Sequence, residues 1–134
     1  MRTTISVFAA LMGFGAIANG LFMLFAPANW YFVIPGVTDT GPFNQHFIRD
    51  IGMIYAFVGY CYIAGARMAE WRTMLWSMGT VWLTAHGLFH IWEVAAGICG
   101  PRDLLIASPS VLLPPAIGIA LSGWAYLNPP AVAN

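Results

Sequence analysis

Four long apolar stretches run along the chain, separated by short segments rich in proline, glycine and charge. They cover approximately residues 5–25, 46–66, 73–97 and 110–127. Each is close to the ~20 residues that an α-helix needs to cross a hydrocarbon core of ~30 Å. The pattern predicts an all-α integral membrane protein, in which residues 1–134 form a single domain built as a bundle of four transmembrane helices.

The composition strengthens this prediction. Of 134 residues, 60% are hydrophobic and only 7% are charged, whereas roughly a quarter of the residues of a soluble domain are charged. The net charge is zero and all five basic residues are arginine, so there is no basic tract for nucleic acid. The lipid bilayer is therefore the expected partner, and a nucleic-acid-binding function is excluded.

The arginines predict an orientation in the membrane. With four crossings, Arg2, Arg67 and Arg72 lie on one side, and Arg49 and Arg102 lie at or near the other. Loops rich in arginine and lysine face the cytoplasm. We therefore expect both termini to be cytoplasmic, with the first and third loops outside.

The candidate functional residues lie in two short motifs near the outer ends of the second and third stretches. His46 and Asp50 are four residues apart, as are His86 and His90. Glu93 follows His90 by three residues. Residues three and four apart share one face of a helix. Because neighbouring helices are antiparallel, we expect all five side chains to converge on one polar site in the outer half of the bundle.

Three interpretations of this site stay open. The first is a structural latch, in which Arg49 neutralises a carboxylate and the histidines bond to neighbouring groups. The second is a metal site for zinc, copper or iron, with the five residues as ligands and Asn19 as a possible outer partner, or a haem held by one histidine. The third is a cavity for a lipophilic ligand or a proton relay, with Glu93 and His90 as an acid–base pair.

The segment between the first two stretches, residues 26–45, is unusually apolar and aromatic for a connection between helices. Long connections without helical periodicity generally pack onto something. Three arrangements are compatible with it: a lid over the polar site, a segment lying on the membrane surface, or a docking patch for a partner.

A family resemblance rests on two motifs. They are His86-xxx-His90-xx-Glu93 and the stretch Gly41-Pro-Phe-Asn-Gln-His46-Phe-Ile-Arg49-Asp50-Ile-Gly52. With its size and layout, the chain resembles small bacterial four-helix membrane proteins similar to the DoxX-like group. The resemblance implies a four-helix fold in a bacterial inner membrane, and it supplies no catalytic residues.

Two functions from different classes follow as hypotheses. In the first, the outer polar site binds a metal or cofactor. In the second, the protein is a non-catalytic accessory subunit of a larger membrane complex, or a homo-oligomer, and the polar cluster is an ion-pair latch. Neither hypothesis specifies a substrate or establishes that the protein is an enzyme.

Overall fold

The computed structural model describes residues 2–130, which contain six α-helices and no strand. The all-α prediction is therefore confirmed for this part of the chain. The helices are α1 (Arg2–Phe25), α2 (Pro27–Val33), α3 (Gln45–Arg67), α4 (Arg72–Ala95), α5 (Pro101–Val111) and α6 (Leu113–Leu127). Two short 3-10 turns, Val37–Asp39 and Ala69–Trp71, lie in the connections.

Two of these helices, α1 and α3, are long and apolar enough to cross a membrane. The pair α5 and α6 passes the same test if it counts as one span with a bend of 41°. Helix α4 is as long as α1 but is not among the candidate spans of residues 2–130, since polar side chains interrupt its apolar residues. The structure thus supports the membrane prediction in its coarser form, with two or three candidate spans where the sequence predicted four.

The predicted third loop, which connects the third and fourth apolar stretches, is largely helical. Pro101 occupies the first turn of α5, and the backbone N–H of Gly100 donates to Oδ2 of Asp103 at 2.7 Å, which caps the start of the helix. Pro109 lies inside α5, and the Ser108 hydroxyl donates to the carbonyl of Leu105 at 2.9 Å. That carbonyl is the one whose helical N–H partner the proline lacks.

Helices α1 and α3 are antiparallel and approach each other at glycines. Gly13 lies against Gly59 and Gly20 lies against Gly52. A Cβ atom added to Gly20 would lie 2.5 Å from the carbonyl oxygen of Gly52 and 2.9 Å from the amide nitrogen of Ala56. Small residues of this kind allow helix backbones to pack closely, so these glycines fix both the spacing and the rotation of α3 relative to α1.

On its other side α3 packs against α4, which in turn packs against α6. Trp76 is fully buried here, and its indole N–H donates to the carbonyl of Tyr62 at 3.0 Å. The Thr80 hydroxyl donates to the carbonyl of Trp76 at 2.8 Å and lies 2.7 Å from the Tyr62 hydroxyl and 2.9 Å from that of Ser122. One hydroxyl has one donor and two acceptor sites, so Thr80 joins all three helices with its bonding capacity filled.

Candidate functional site

A cavity of about 1290 Å³ lies among α1, the 27–44 segment, α3, α4 and α5. Small-molecule sites in proteins usually enclose about 300–1,000 Å³ and are mainly apolar, so there is room for a sizeable ligand. Most of the surface that faces the cavity is apolar. Its aromatic lining consists of Trp30, Tyr31, Phe43, Phe47, Tyr55 and Phe89.

The segment between α1 and α3 forms one wall of this cavity. The indole N–H of Trp30 donates to Oδ1 of Asn19 at 2.9 Å, which holds α2 against α1. The hydroxyl of Tyr31 donates to the carbonyl of Gly41 at 2.8 Å, and its ring meets that of Phe43 edge-on at 5.4 Å between centroids. The structure therefore places this segment against the helices, as part of the wall of the cavity.

The polar end of the cavity is built from one face of α4. His86 stacks on Trp82 with 5.1 Å between ring centroids, and the His90 ring meets His86 edge-on at 4.8 Å. Nδ1 of His90 lies 3.3 Å from Oε2 of Glu93. His86, His90 and Glu93 all line the cavity, as their spacing on one helical stripe predicts.

The Glu93 carboxylate is mostly withdrawn from the surface, with 13% of its side chain exposed against 20% for His90. Its Oε2 atom is buried 3.3 Å from Nδ1 of His90 and receives no hydrogen bond from the described residues. Buried polar atoms are nearly always hydrogen-bonded in folded proteins. Glu93 also lines the cavity, so the part of its side chain that stays accessible can contact a molecule bound there.

His46 and Asp50 form a separate pair on α3. Nε2 of His46 lies 3.3 Å from Oδ2 of Asp50, and 88% of the histidine side chain is exposed. Neither residue lines the cavity, which Ile48, Ile51 and Tyr55 of the same helix face instead. The helix presents His46 and Asp50 outward because its opposite face carries the apolar contacts.

The predicted five-residue cluster does not form in residues 2–130, because His46 and Asp50 do not line the cavity that His86, His90 and Glu93 line. Within this range no group of three or more histidine, cysteine, aspartate or glutamate side chains is arranged to hold a metal ion. The structure brings together His86, His90 and Glu93 along one helix and leaves His46 and Asp50 apart. The metal-binding prediction therefore gains no support from the described geometry.

Arg49 and Asn19, which were predicted to support the polar site, form hydrogen bonds with other groups. Nε of Arg49 donates to the carbonyl of Leu24 at 3.1 Å, and its Nη1 donates to Oε1 of Gln45 at 3.4 Å. The close contacts of the Asp50 and Glu93 carboxylates in residues 2–130 are with histidines and do not include Arg49, so the expected counter-charge role is not seen. Asn19 does line the cavity, where it holds Trp30.

Cys99 and Asp103 also line the cavity, although the sequence did not indicate it. Cys99 lies between α4 and α5, where desolvation and then the carboxylates of Glu93 and Asp103 raise the pKa of its thiol above the usual value. A thiol with a raised pKa is largely protonated at neutral pH and is a weak nucleophile. The aromatic composition of residues 26–45 was the only sequence signal for the opposite wall.

No protein-family model matches the chain, and no curated protein or solved structure is significantly similar to it. The geometry of the chain's own residues is thus the basis for any functional conclusion.

Proposed function

We propose that this chain is a multi-pass protein of the bacterial inner membrane that binds a lipophilic small molecule in the cavity of its helical bundle. The observation that carries the proposal is the cavity itself, which joins extensive apolar and aromatic walls to the polar face of His86, His90 and Glu93. Such a combination is typical of small-molecule sites, where apolar walls supply affinity and a few polar groups fix orientation.

The outer surface of the bundle supports placement in a membrane. Phe8, Leu11 and Phe14 on α1 are each about half exposed, and contiguous exposed apolar surface of this kind marks contact with membrane or protein. We assign four crossings, formed by α1, α3, α4 and the bent pair α5–α6. Helix α4 crosses with its histidines and Glu93 turned toward the cavity, as intramembrane ionisable residues usually are.

In this arrangement both termini are cytoplasmic, because Arg2, Arg67 and Arg72 then lie on the inner side. A phosphatase reporter fused after Asn134 is expected to be inactive, and a fluorescent reporter that folds only in the cytoplasm is expected to be bright. An active phosphatase at this position would reverse the orientation and place the polar end of the cavity on the inner side.

The polar end sets the orientation of the ligand. Because His86, His90 and Glu93 lie at one end of a mainly apolar space, an amphipathic molecule would bind with its polar group toward α4. A metal ion has no part in this proposal, since residues 2–130 offer no suitable group of donors. The function is that of a membrane-embedded binding protein.

Filling the cavity tests this function. Gly15 lines the cavity and has open space where a Cβ would lie, and Gly123 has the same open space but does not line it. We expect Gly15→Trp to weaken binding of naphthylethylamine and naphthylethanol by at least about tenfold, with Gly123→Trp unchanged. The measurement is equilibrium binding to protein in phosphatidylcholine nanodiscs, corrected for nanodiscs without protein.

Two outcomes would count against the cavity as a binding site. The first is that neither probe binds the parent protein above the level of protein-free nanodiscs. The second is that both tryptophan variants bind as the parent does, which would place the bound molecule elsewhere on the surface.

A further inference from the structure

The charged residues that line the cavity are all acidic. Glu93 and Asp103 contribute carboxylates, whereas no arginine among the described residues lines it and the chain contains no lysine. A concave site with charge of one sign and low-dielectric walls focuses its potential on the interior. When the carboxylates are ionised, the cavity therefore favours a positively charged occupant.

The two carboxylates are not equivalent. Oδ2 of Asp103 accepts the N–H of Gly100 at 2.7 Å, so this carboxylate already caps α5. Oε2 of Glu93 is buried beside Nδ1 of His90 at 3.3 Å, but Glu93 lines the cavity and 13% of its side chain stays accessible there. An ionised carboxylate can only accept hydrogen bonds, so a group that binds the accessible part of Glu93 is a donor.

Aromatic side chains complete the environment. Trp30, Tyr31 and Phe43 line the cavity from the folded-over segment, and Phe89 lines it from α4. The faces of such rings attract cations, most strongly where water is excluded. The rings also pack against hydrocarbon, so the same wall suits the apolar part of a ligand and the positive charge it carries.

We propose that the ligand is a lipophilic amine, whose ammonium group donates to Glu93 while its hydrocarbon portion fills the apolar part of the cavity. This assignment rests on the proposed function, because it names the class of molecule that the cavity binds. It predicts a preference for the positive charge itself, since the cavity is lined by two carboxylates and, among the described residues, by no arginine or lysine.

Three probes with one ring system separate charge from shape. Naphthylethylamine is a cation at neutral pH, naphthylethanol is neutral, and naphthylacetate is an anion. In zwitterionic nanodiscs we expect the parent protein to bind the amine at least about tenfold more tightly than the alcohol, and the anion least. Glu93→Gln preserves size and a hydrogen-bonding group but removes the charge, so we expect it to abolish the preference for the amine while the alcohol binds as before.

Asp50→Asn is the matched control, because Asp50 is a carboxylate with a histidine partner that does not line the cavity. We expect this variant to keep the full preference for the amine. Equal binding of amine and alcohol by the parent would overturn the amine assignment and leave the cavity function standing. A preference that survives Glu93→Gln would equally refute the role of Glu93, and failure of all three probes to bind would refute the proposed function as well.

Discussion

Replacing Trp76 with alanine is expected to lower the free energy of unfolding by about 3–5 kcal/mol, the usual cost of emptying a large aromatic site in a core. Trp76 has no exposed surface and packs beside Gly65, which leaves room for its indole ring. The variant also removes the donor to the carbonyl of Tyr62. Thermal unfolding in detergent, followed by circular dichroism, would measure the loss.

Trp92→Ala is the control for this prediction. Trp92 belongs to the same helix, but 54% of its surface is exposed, so its removal leaves no internal cavity. We expect a change of about 0.5 kcal/mol or less, as for most surface positions. Equal losses for the two variants would contradict the packing of α4 against α3 and α6.

The second large effect is expected at the contact between α1 and α3. Gly20→Ala places a methyl group 2.5 Å from the carbonyl oxygen of Gly52 and 2.9 Å from the amide nitrogen of Ala56. Both are backbone atoms of α3, so the clash is relieved only if the helices separate. Overpacking of this kind costs about 1–3 kcal/mol, even though alanine is better than glycine in a helix by about 1 kcal/mol.

Gly15→Ala separates the two effects, because a Cβ at Gly15 meets no atom within 4 Å. We expect this variant to be as stable as the parent or more stable, since only the helix preference changes. The measurement is the thermal midpoint of each variant in the same detergent. Gly20→Ala with an unchanged midpoint would contradict the close approach of α1 and α3.

The three long helices could be placed from the sequence because their apolar runs are continuous. Predicted ranges 5–25, 46–66 and 73–97 correspond to Arg2–Phe25, Gln45–Arg67 and Arg72–Ala95. Helix α5 was missed because Gly100-Pro101 and Pro109 indicate a loop when they are considered separately. A proline inside a helix leaves one carbonyl without its N–H partner, and the sequence alone did not show that the Ser108 hydroxyl would bond to that carbonyl.

The candidate site, like the fold, could be predicted from the sequence only in part. The alignment of His86, His90 and Glu93 on one face follows from helical spacing alone, so the sequence was sufficient for it. Convergence with Asp50 required the rotation of α3 about its axis, which depends on how its glycines meet α1. The cavity was beyond sequence reasoning because the residues of its walls come from distant segments, including Trp30 and Cys99.

The position of a bound molecule is the most direct test of whether the cavity is the binding site. A photoreactive derivative of naphthylethylamine can be cross-linked to the protein in nanodiscs, and the modified residues identified by mass spectrometry. We expect labels on cavity-lining residues such as Trp30, Phe43 and Phe89, and competition by unmodified amine. Labels confined to the outer faces, for example at Met53 and Val81, which are exposed and do not line the cavity, would contradict this expectation.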